Sequence, residues 1–215
     1  MARKITDAEI VSPRTGSCAA NTLDRALESE RFENSIFENE APDGLLIADV
    51  SIRNCIFRGV DFSGIELENV YLTDVIFEKC NLSGKRFEER MLQRVLFKKC
   101  KMLGTTFIES TLRDVIFEDC VAKYINLAKA KINGMQISDS DFSSSSFLEN
   151  SLKNLKLDRV NFEKSEIMKT GLYGIDFSSC QIASLSIDNY SLQGMIIDTM
   201  QAVDLVRLLG VRFKE

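Results

Sequence analysis

From Phe32 to Ile197 every fifth residue is large and apolar. Of the 34 positions in this series only Pro42 and Ala122 depart from the rule, and the frame never slips. Thirteen of the 14 phenylalanines belong to it; only Phe213 lies outside. A five-residue period fits neither regular element. On a helix it advances about 500° per step and wanders over every face. On a flat strand an odd period reverses the side chain at each step. The chain must therefore turn a corner once per five residues. With the apolar residue as the centre of each side, the residue two before it points the same way. That row reads Val50, Cys55, Val60, Ile65, Val70, Val75, Cys80 and later Val95, Cys100, Val115, Cys120, small or β-branched as a second inward row requires. The other three places are mostly polar.

Like residues recur at a larger interval. Phe37, Phe57, Phe77, Phe97 and Phe117 are spaced by 20, as are Cys80, Cys100 and Cys120. A coil of four sides, repeated, predicts a solenoid. Its first side is centred on Ile52, Leu72, Leu92 and Leu112, its second on the phenylalanine column. The third is centred on Phe62, Leu82, Met102, Ala122, Phe142 and Phe162, the fourth on Leu67, Phe87, Phe107, Leu127 and Phe147. Neighbouring coils at strand spacing give a rod of roughly 40 Å.

Three segments follow. Residues 1–30 do not keep the frame and predict a cap over the open first coil, with Ser17 starting a helix over Cys18 to Glu30. Residues 31–198 form the coils. Residues 199–215 predict a short helix from Met200 to Leu209, started by Asp198 and Thr199 and stopped by Gly210, then a short strand at Val211, Arg212 and Phe213. Glu40-Ala41-Pro42-Asp43-Gly44 is the one local break, read as a bulge or a functional loop.

Charge and chemistry narrow the function. The net charge is −5 and the pI about 5.1, which argues against nucleic acid as a direct ligand. No run approaches a membrane span and the N-terminus leads into no apolar stretch, so a cytoplasmic location is expected. There is no histidine, which removes the Ser-His-Asp and Cys-His arrangements and histidine-based zinc sites. No phosphate-binding loop or calcium loop is complete. A non-enzymatic protein without cofactor or metal is expected. Five of the six cysteines occupy the inward row; they read as core thiols, with a metal site or disulfide as the alternative.

The charges are segregated. Asp49, Glu66, Glu68, Glu88, Glu89, Glu109, Glu149, Glu166 and Asp188 fall on the fourth side, against Lys85, Arg86, Lys129 and Lys169, for a net of −5. The first side is net +3. Lys85, Arg86, Arg90, Arg94, Lys98, Lys99 and Lys101 form a basic girdle in one coil. The acidic side reads as a solvated face or as a partner surface. The C-terminal helix reads as a cap on the last coil or as a contact between copies.

The five-residue units themselves carry a resemblance. Val60-Asp61-Phe62-Ser63-Gly64, Cys80-Asn81-Leu82-Ser83-Gly84 and Ile175-Asp176-Phe177-Ser178-Ser179 resemble the pentapeptide repeat. That family implies an all-β solenoid, a right-handed quadrilateral β-helix, here with a short C-terminal α-helix. Phe107 to Leu127 and the C-terminal stretch from Leu192 to Val211 resemble the Qnr-type quinolone-resistance proteins, the Gram-positive chromosomal members in particular. The resemblance implies a DNA mimic that binds DNA gyrase or topoisomerase IV through its acidic side. It also implies a homodimer joined tail to tail through Met200, Val203, Val206, Leu209, Val211 and Phe213. The alternative is a repeat scaffold for another protein partner. Duplex DNA carries about one charge per 1.7 Å, whereas a net of −5 over about 40 Å is about one per 8 Å. Imitation would then rest on shape and a few placed carboxylates.

Overall fold

The computed structural model describes residues 10–208. Each five-residue unit is one side of a coil, and the corner lies two residues after each centre. There the backbone adopts positive φ, from Asn34 (52°) through Asp74 (56°) and Tyr124 (60°) to Ser184 (57°) and Gly194 (73°). Glycine occupies some of these corners; asparagine, aspartate, lysine, arginine, glutamate, serine and a tyrosine occupy the others. A left-handed non-glycine residue costs roughly 1–2 kcal/mol, so each such corner is held by what surrounds it.

What holds it is the ladder between coils. Ser51–Arg58, Tyr71–Glu78, Met91–Lys98, Thr111–Glu118, Lys131–Ser138 and Ser151–Asp158 are parallel strands, each paired to the next with a 20-residue offset. Each runs through the first and second sides, skipping its left-handed corner residue in the pairing. The third and fourth sides are tighter. On most of the third side, and at Phe107 and Leu127 on the fourth, the carbonyl of the centre accepts from the N–H three residues on, as in Leu82 with Lys85 (3.1 Å) and Phe107 with Ser110 (3.2 Å). Positive φ at the third residue alone is the type II turn pattern. Bridges such as Asn81 to Lys101 and Thr106 to Asn126 carry the same 20-residue register on these sides.

Register brings like side chains together. Phe37, Phe57, Phe77, Phe97 and Phe117 stack in a column with ring centroids 4.8–5.2 Å apart and planes within 16°. Phe107 meets Phe117 edge-on at 88°. Every centre among these is buried. The second inward row is chosen for more than size. Cys80, Cys100 and Cys120 donate their thiols to the carbonyls of Phe57, Phe77 and Phe97 at 3.3–3.4 Å. Thr105, Ser165 and Thr170 do the same to Leu82, Phe142 and Phe147 at 2.8–2.9 Å. Small residues with a thiol or hydroxyl donor thus satisfy carbonyls one coil back. Burial pushes the Cys55 thiol up to about 11, and no cluster of metal-ligating residues occurs among the described residues.

The first coil is closed differently from the expectation. The helix α1 spans Leu23–Glu28, with Thr22 rather than Ser17 as its cap. Ala19–Ala20 forms a strand paired to Ser35 and Ile36. The free edge of the first coil takes these alanines, and the helix begins only beyond them, burying Leu23 and Ala26. Near the other end the frame of five continues in sequence, but the chain forms a helical turn, α2, over Asn189–Leu192. The final helix, α3, spans Thr199–Leu208. Asp198 and Gln201 cap it reciprocally at 2.8 and 2.9 Å. Gln201 also donates to the carbonyls of Phe177 and Cys180 (2.8 and 2.6 Å), and Leu205 packs into the core.

The construction makes three predictions. Phe97→Ala removes a ring from the middle of the column and should cost roughly 3–5 kcal/mol in chemical denaturation. Deleting Ser63 alone should destabilise the protein more than excising residues 91–110, because one missing residue reverses every following side chain; the opposite order of melting temperatures would refute the frame. The third concerns Asp74. It accepts from Arg94 Nε and Nη2 at 2.6 Å and from the Arg14 N–H at 2.8 Å. The Arg94 guanidinium holds its carboxyl below the usual carboxylate range. A depressed folded value stabilises the protein above the unfolded value of about 3.9 and is lost as pH falls through the folded value. Asp74→Asn should therefore be less stable at neutral pH, with the difference shrinking as pH falls below about 4.

Candidate functional site: the acidic side

The nine carboxylates assigned to the fourth side are placed there by the 20-residue register, but the same register neutralises several. Lys129 pairs with Glu109 at 3.2 Å and Lys169 with Glu149 at 2.8 Å. Glu88 is held by Arg86 at 2.6 Å and by the Thr106 hydroxyl at 2.7 Å, and the Arg86 guanidinium keeps it below the usual range. Asp49 accepts from Asn69 at 2.7 Å. Asp188 is the cap of α2, accepting from the Ser191 N–H at 2.7 Å, and it also accepts from the Lys169 N–H at 2.8 Å. Glu66, Glu68, Glu89 and Glu166 are exposed and make no ion pair or side-chain hydrogen bond among the described residues. The free negative charge is a cluster around Glu66, Glu68 and Glu89 with an outlier at Glu166, rather than a line along the rod.

Three of the seven cations of the basic girdle are similarly spent: Arg94 is held by Asp74, Lys98 by Glu118 at 2.7 Å and Arg86 by Glu88. Lys85, Arg90, Lys99 and Lys101 make no ion pair among the described residues.

The free carboxylates border an interruption of the ladder. Between the coil at 84–90 and the next, five backbone bonds close the fourth side: Gly84 to Leu103, Phe87 to Thr106, Glu89 to Ile108, and back from Thr106 to Lys85 and Thr111 to Arg90. Between 64–70 and 83–91 no such bond exists. Ile65–Glu68 is a strand paired on one edge to Leu45–Ala48 and free on the other. A slit of about 550 Å³ opens there, lined by residues 66–69 on one wall and by 84–86, Glu88 and Arg90 on the other.

Its cause lies in the inward row. From residue 50 to 195 the only charged residues in that row are Lys85 and Arg90. Neither is buried with the apolar residues of the row. The Lys85 ammonium reaches back across the slit to the Ile65 carbonyl at 2.7 Å, and burial lowers its pKa. Arg90 reaches Asn69 Oδ1. Gly64 adds to the misfit. It is a corner without positive φ, and a Cβ there would come within 2.5 Å of the Pro42 carbonyl oxygen. The Pro42 break thus sits against the lip of the slit. Sequence reading counted Lys85 and Arg90 in the girdle and missed their inward place; the signal was two charges in an otherwise uncharged row.

The contact residues assigned to the C-terminal helix divide. Met200 is 78% exposed and Val203 36% exposed, and Val206 is half-buried. Leu209, Val211 and Phe213 lie outside the described residues. Tyr173, Tyr190 and Ile196 are exposed at the same end of the chain's coils.

These features define a parallel β-solenoid with five-residue sides, in about eight coils. Models of the pentapeptide repeat region match residues 70–147 and 90–167, and the model of pentapeptide repeats (8 copies) matches residues 48–84. Together they span over half of the chain, which belongs to the pentapeptide repeat family. Among solved structures, the chain is similar to full-length QnrB1, a plasmid-mediated fluoroquinolone resistance protein. The identity is 18%, the match covers 83% of this chain and 89% of that one, and the TM-score is 0.43. It is also similar to HetL from the cyanobacterium Nostoc sp. strain PCC 7120, a pentapeptide repeat protein involved in heterocyst differentiation regulation. There the identity is 13%, the coverage 81% and 92%, and the TM-score 0.37. Shared function does not follow at that level. No curated protein matches the chain. No helix among the described residues is long and apolar enough to cross a membrane.

Proposed function

We propose that this protein is a non-enzymatic, DNA-mimicking rod that binds DNA gyrase or topoisomerase IV and protects it from quinolones. The observation that carries the reading is the cluster of unpaired carboxylates, Glu66, Glu68 and Glu89, on one side of a stiff stack of coils. The resemblance of Phe107–Leu127 and Leu192–Val211 to Qnr-type proteins supplies the target. The DNA-binding surface of such an enzyme is basic, and an acidic cluster is attracted to it over a Debye length of about 10 Å at 0.1 M salt. This target places the protein in the cytoplasm.

The reading also includes a homodimer. Exposed Met200 and Val203, with Tyr173, Tyr190 and Ile196, leave the C-terminal end apolar. A patch on a two-fold axis meets its own copy and closes the assembly.

A second reading is a scaffold for a different protein partner. It is favoured by the pairing of Glu88, Glu109 and Glu149 with neighbouring cations, which leaves less free charge than a DNA imitation would use.

Supercoiling and quinolone-induced cleavage by gyrase, titrated with the protein, test the target. Rescue from the drug, with inhibition of supercoiling at higher concentration, is expected. Replacing Glu66, Glu68, Glu88 and Glu89 by Gln should weaken both effects and leave the melting temperature nearly unchanged. Absence of rescue and inhibition at tens of micromolar removes topoisomerase and leaves the scaffold. For the dimer, Val206→Asp should give monomers in light scattering; a parent that is already monomeric at micromolar concentration refutes it.

A further inference from the structure

We propose that the slit on the fourth side is a strand-addition site, taking an extended peptide with basic side chains at alternate positions. This stands apart from the identity of the target above.

The backbone defines the seat. Glu66 and Glu68 direct their N–H and C=O groups toward Leu45–Ala48. By the alternation of a parallel ladder, Ile65, Leu67 and Asn69 direct theirs into the slit. The N–H groups of Leu67 and Asn69 and the carbonyl of Leu67 find no backbone partner there. The Ile65 carbonyl is met only by the Lys85 ammonium at 2.7 Å. An unpaired strand edge is a template for another strand, and folded proteins usually block it. Here two charged residues in the inward row keep it open. A strand of four residues spans roughly 13 Å. The volume of about 550 Å³ falls among ligand-binding clefts, which run roughly 300–1,000 Å³.

The charges choose the occupant. Glu66 and Glu68 lie on the outward pleat of the open strand and have no ion pair among the described residues. Side chains directly across from them on an added strand would stand about 4.5–5.5 Å away. Of the cations that also line the slit, Arg86 is held by Glu88 at 2.6 Å, Lys85 by the Ile65 carbonyl and Arg90 by Asn69. Lysine or arginine at alternate positions of the added strand matches the two unpaired carboxylates, while acidic residues would meet them as like charges. Main-chain bonds would supply the affinity and the alternate side chains the selectivity. Lys85 shows the chemistry in miniature, an ammonium resting on a carbonyl of the edge.

The test uses the full-length protein and the peptide acetyl-Thr-Arg-Val-Lys-Val-Arg-Thr-amide, with amide hydrogen exchange read residue by residue. In the free protein, Leu67 and Asn69 should exchange much faster than Phe87 and Glu89, whose N–H groups bond Thr106 and Ile108. The peptide should slow Leu67 and Asn69. A version N-methylated at alternate residues, or with Glu replacing the basic residues, should not. Glu66→Gln with Glu68→Gln should weaken binding about fivefold to tenfold. Lys85→Ile with Arg90→Val should close the slit, protecting Leu67 and Asn69 without peptide and abolishing binding. Slow exchange at Leu67 and Asn69 in the free protein would overturn the proposal. So would equal binding of the N-methylated peptide, which would mean charge attraction alone, or displacement of Lys85 and Arg90 by inorganic phosphate with no peptide effect. Because no topoisomerase is present, failure here leaves the gyrase proposal untouched, and success does not rescue it.

Discussion

Backbone hydrogen bonding between successive coils is the constraint on which everything else rests. A coil of five-residue sides can satisfy few of its own N–H and C=O groups, so most must find partners one coil above or below. That is possible only if every coil has the same number of residues, which is why the frame of five tolerates no slip. Stacked phenylalanines, thiols donating to carbonyls one coil back and left-handed corners filled by lysine or arginine all follow from the register. The ladder holds a corner such as Arg94 (φ 52°) in a conformation its side chain does not favour.

The body of the fold was legible because the apolar period survives where the five-residue consensus does not. A corner can hold Tyr124 or Lys99 and still turn, so a search for Gly or Asn at that place would have lost the pattern. The ends were less legible, since there propensity competes with an open ladder. Ala19 and Ala20 are good helix formers, but the free edge at Ser35 and Ile36 offers backbone partners and wins. At Asn189 the balance is reversed: Asp188 caps a helical turn where the run of coils is ending. The acidic side was legible as a net charge but not as a distribution, because the sum does not say which carboxylates its own cations hold: Arg86 takes Glu88, Lys129 takes Glu109 and Lys169 takes Glu149.

Those pairs do more than neutralise. Glu38, Arg58, Glu78, Lys98 and Glu118 form a column in which the sign alternates from coil to coil. Exposed pairs of this kind stabilise by at most about 1 kcal/mol each. A slip by one coil keeps every phenylalanine in its column but leaves these charges without their partners. The apolar frame therefore fixes which residue faces inward, and the charge columns help fix which coil follows which. The two devices fail together at one level. At Lys85 and Arg90 charge enters the inward row, the coil cannot close on its predecessor, and the carboxylates of Glu66 and Glu68 are left beside an open edge.

The two ends of the stack are closed in different ways, and this bears on how copies could meet. At the start, Ala19–Ala20 continues the ladder by pairing and α1 covers it. At the other end, Gln201 caps the carbonyls of Phe177 and Cys180 with its side-chain amide. Those carbonyls are then no longer available to a further strand. An end-to-end contact through Met200 and Val203 would consequently be apolar packing between two capped stacks, not one continuous ladder across the junction. Its strength would scale with the apolar area buried, at about 25 cal/mol per Å². A charge placed at Val206 would disturb that packing while leaving the Gln201 cap, and with it the last coil, in place.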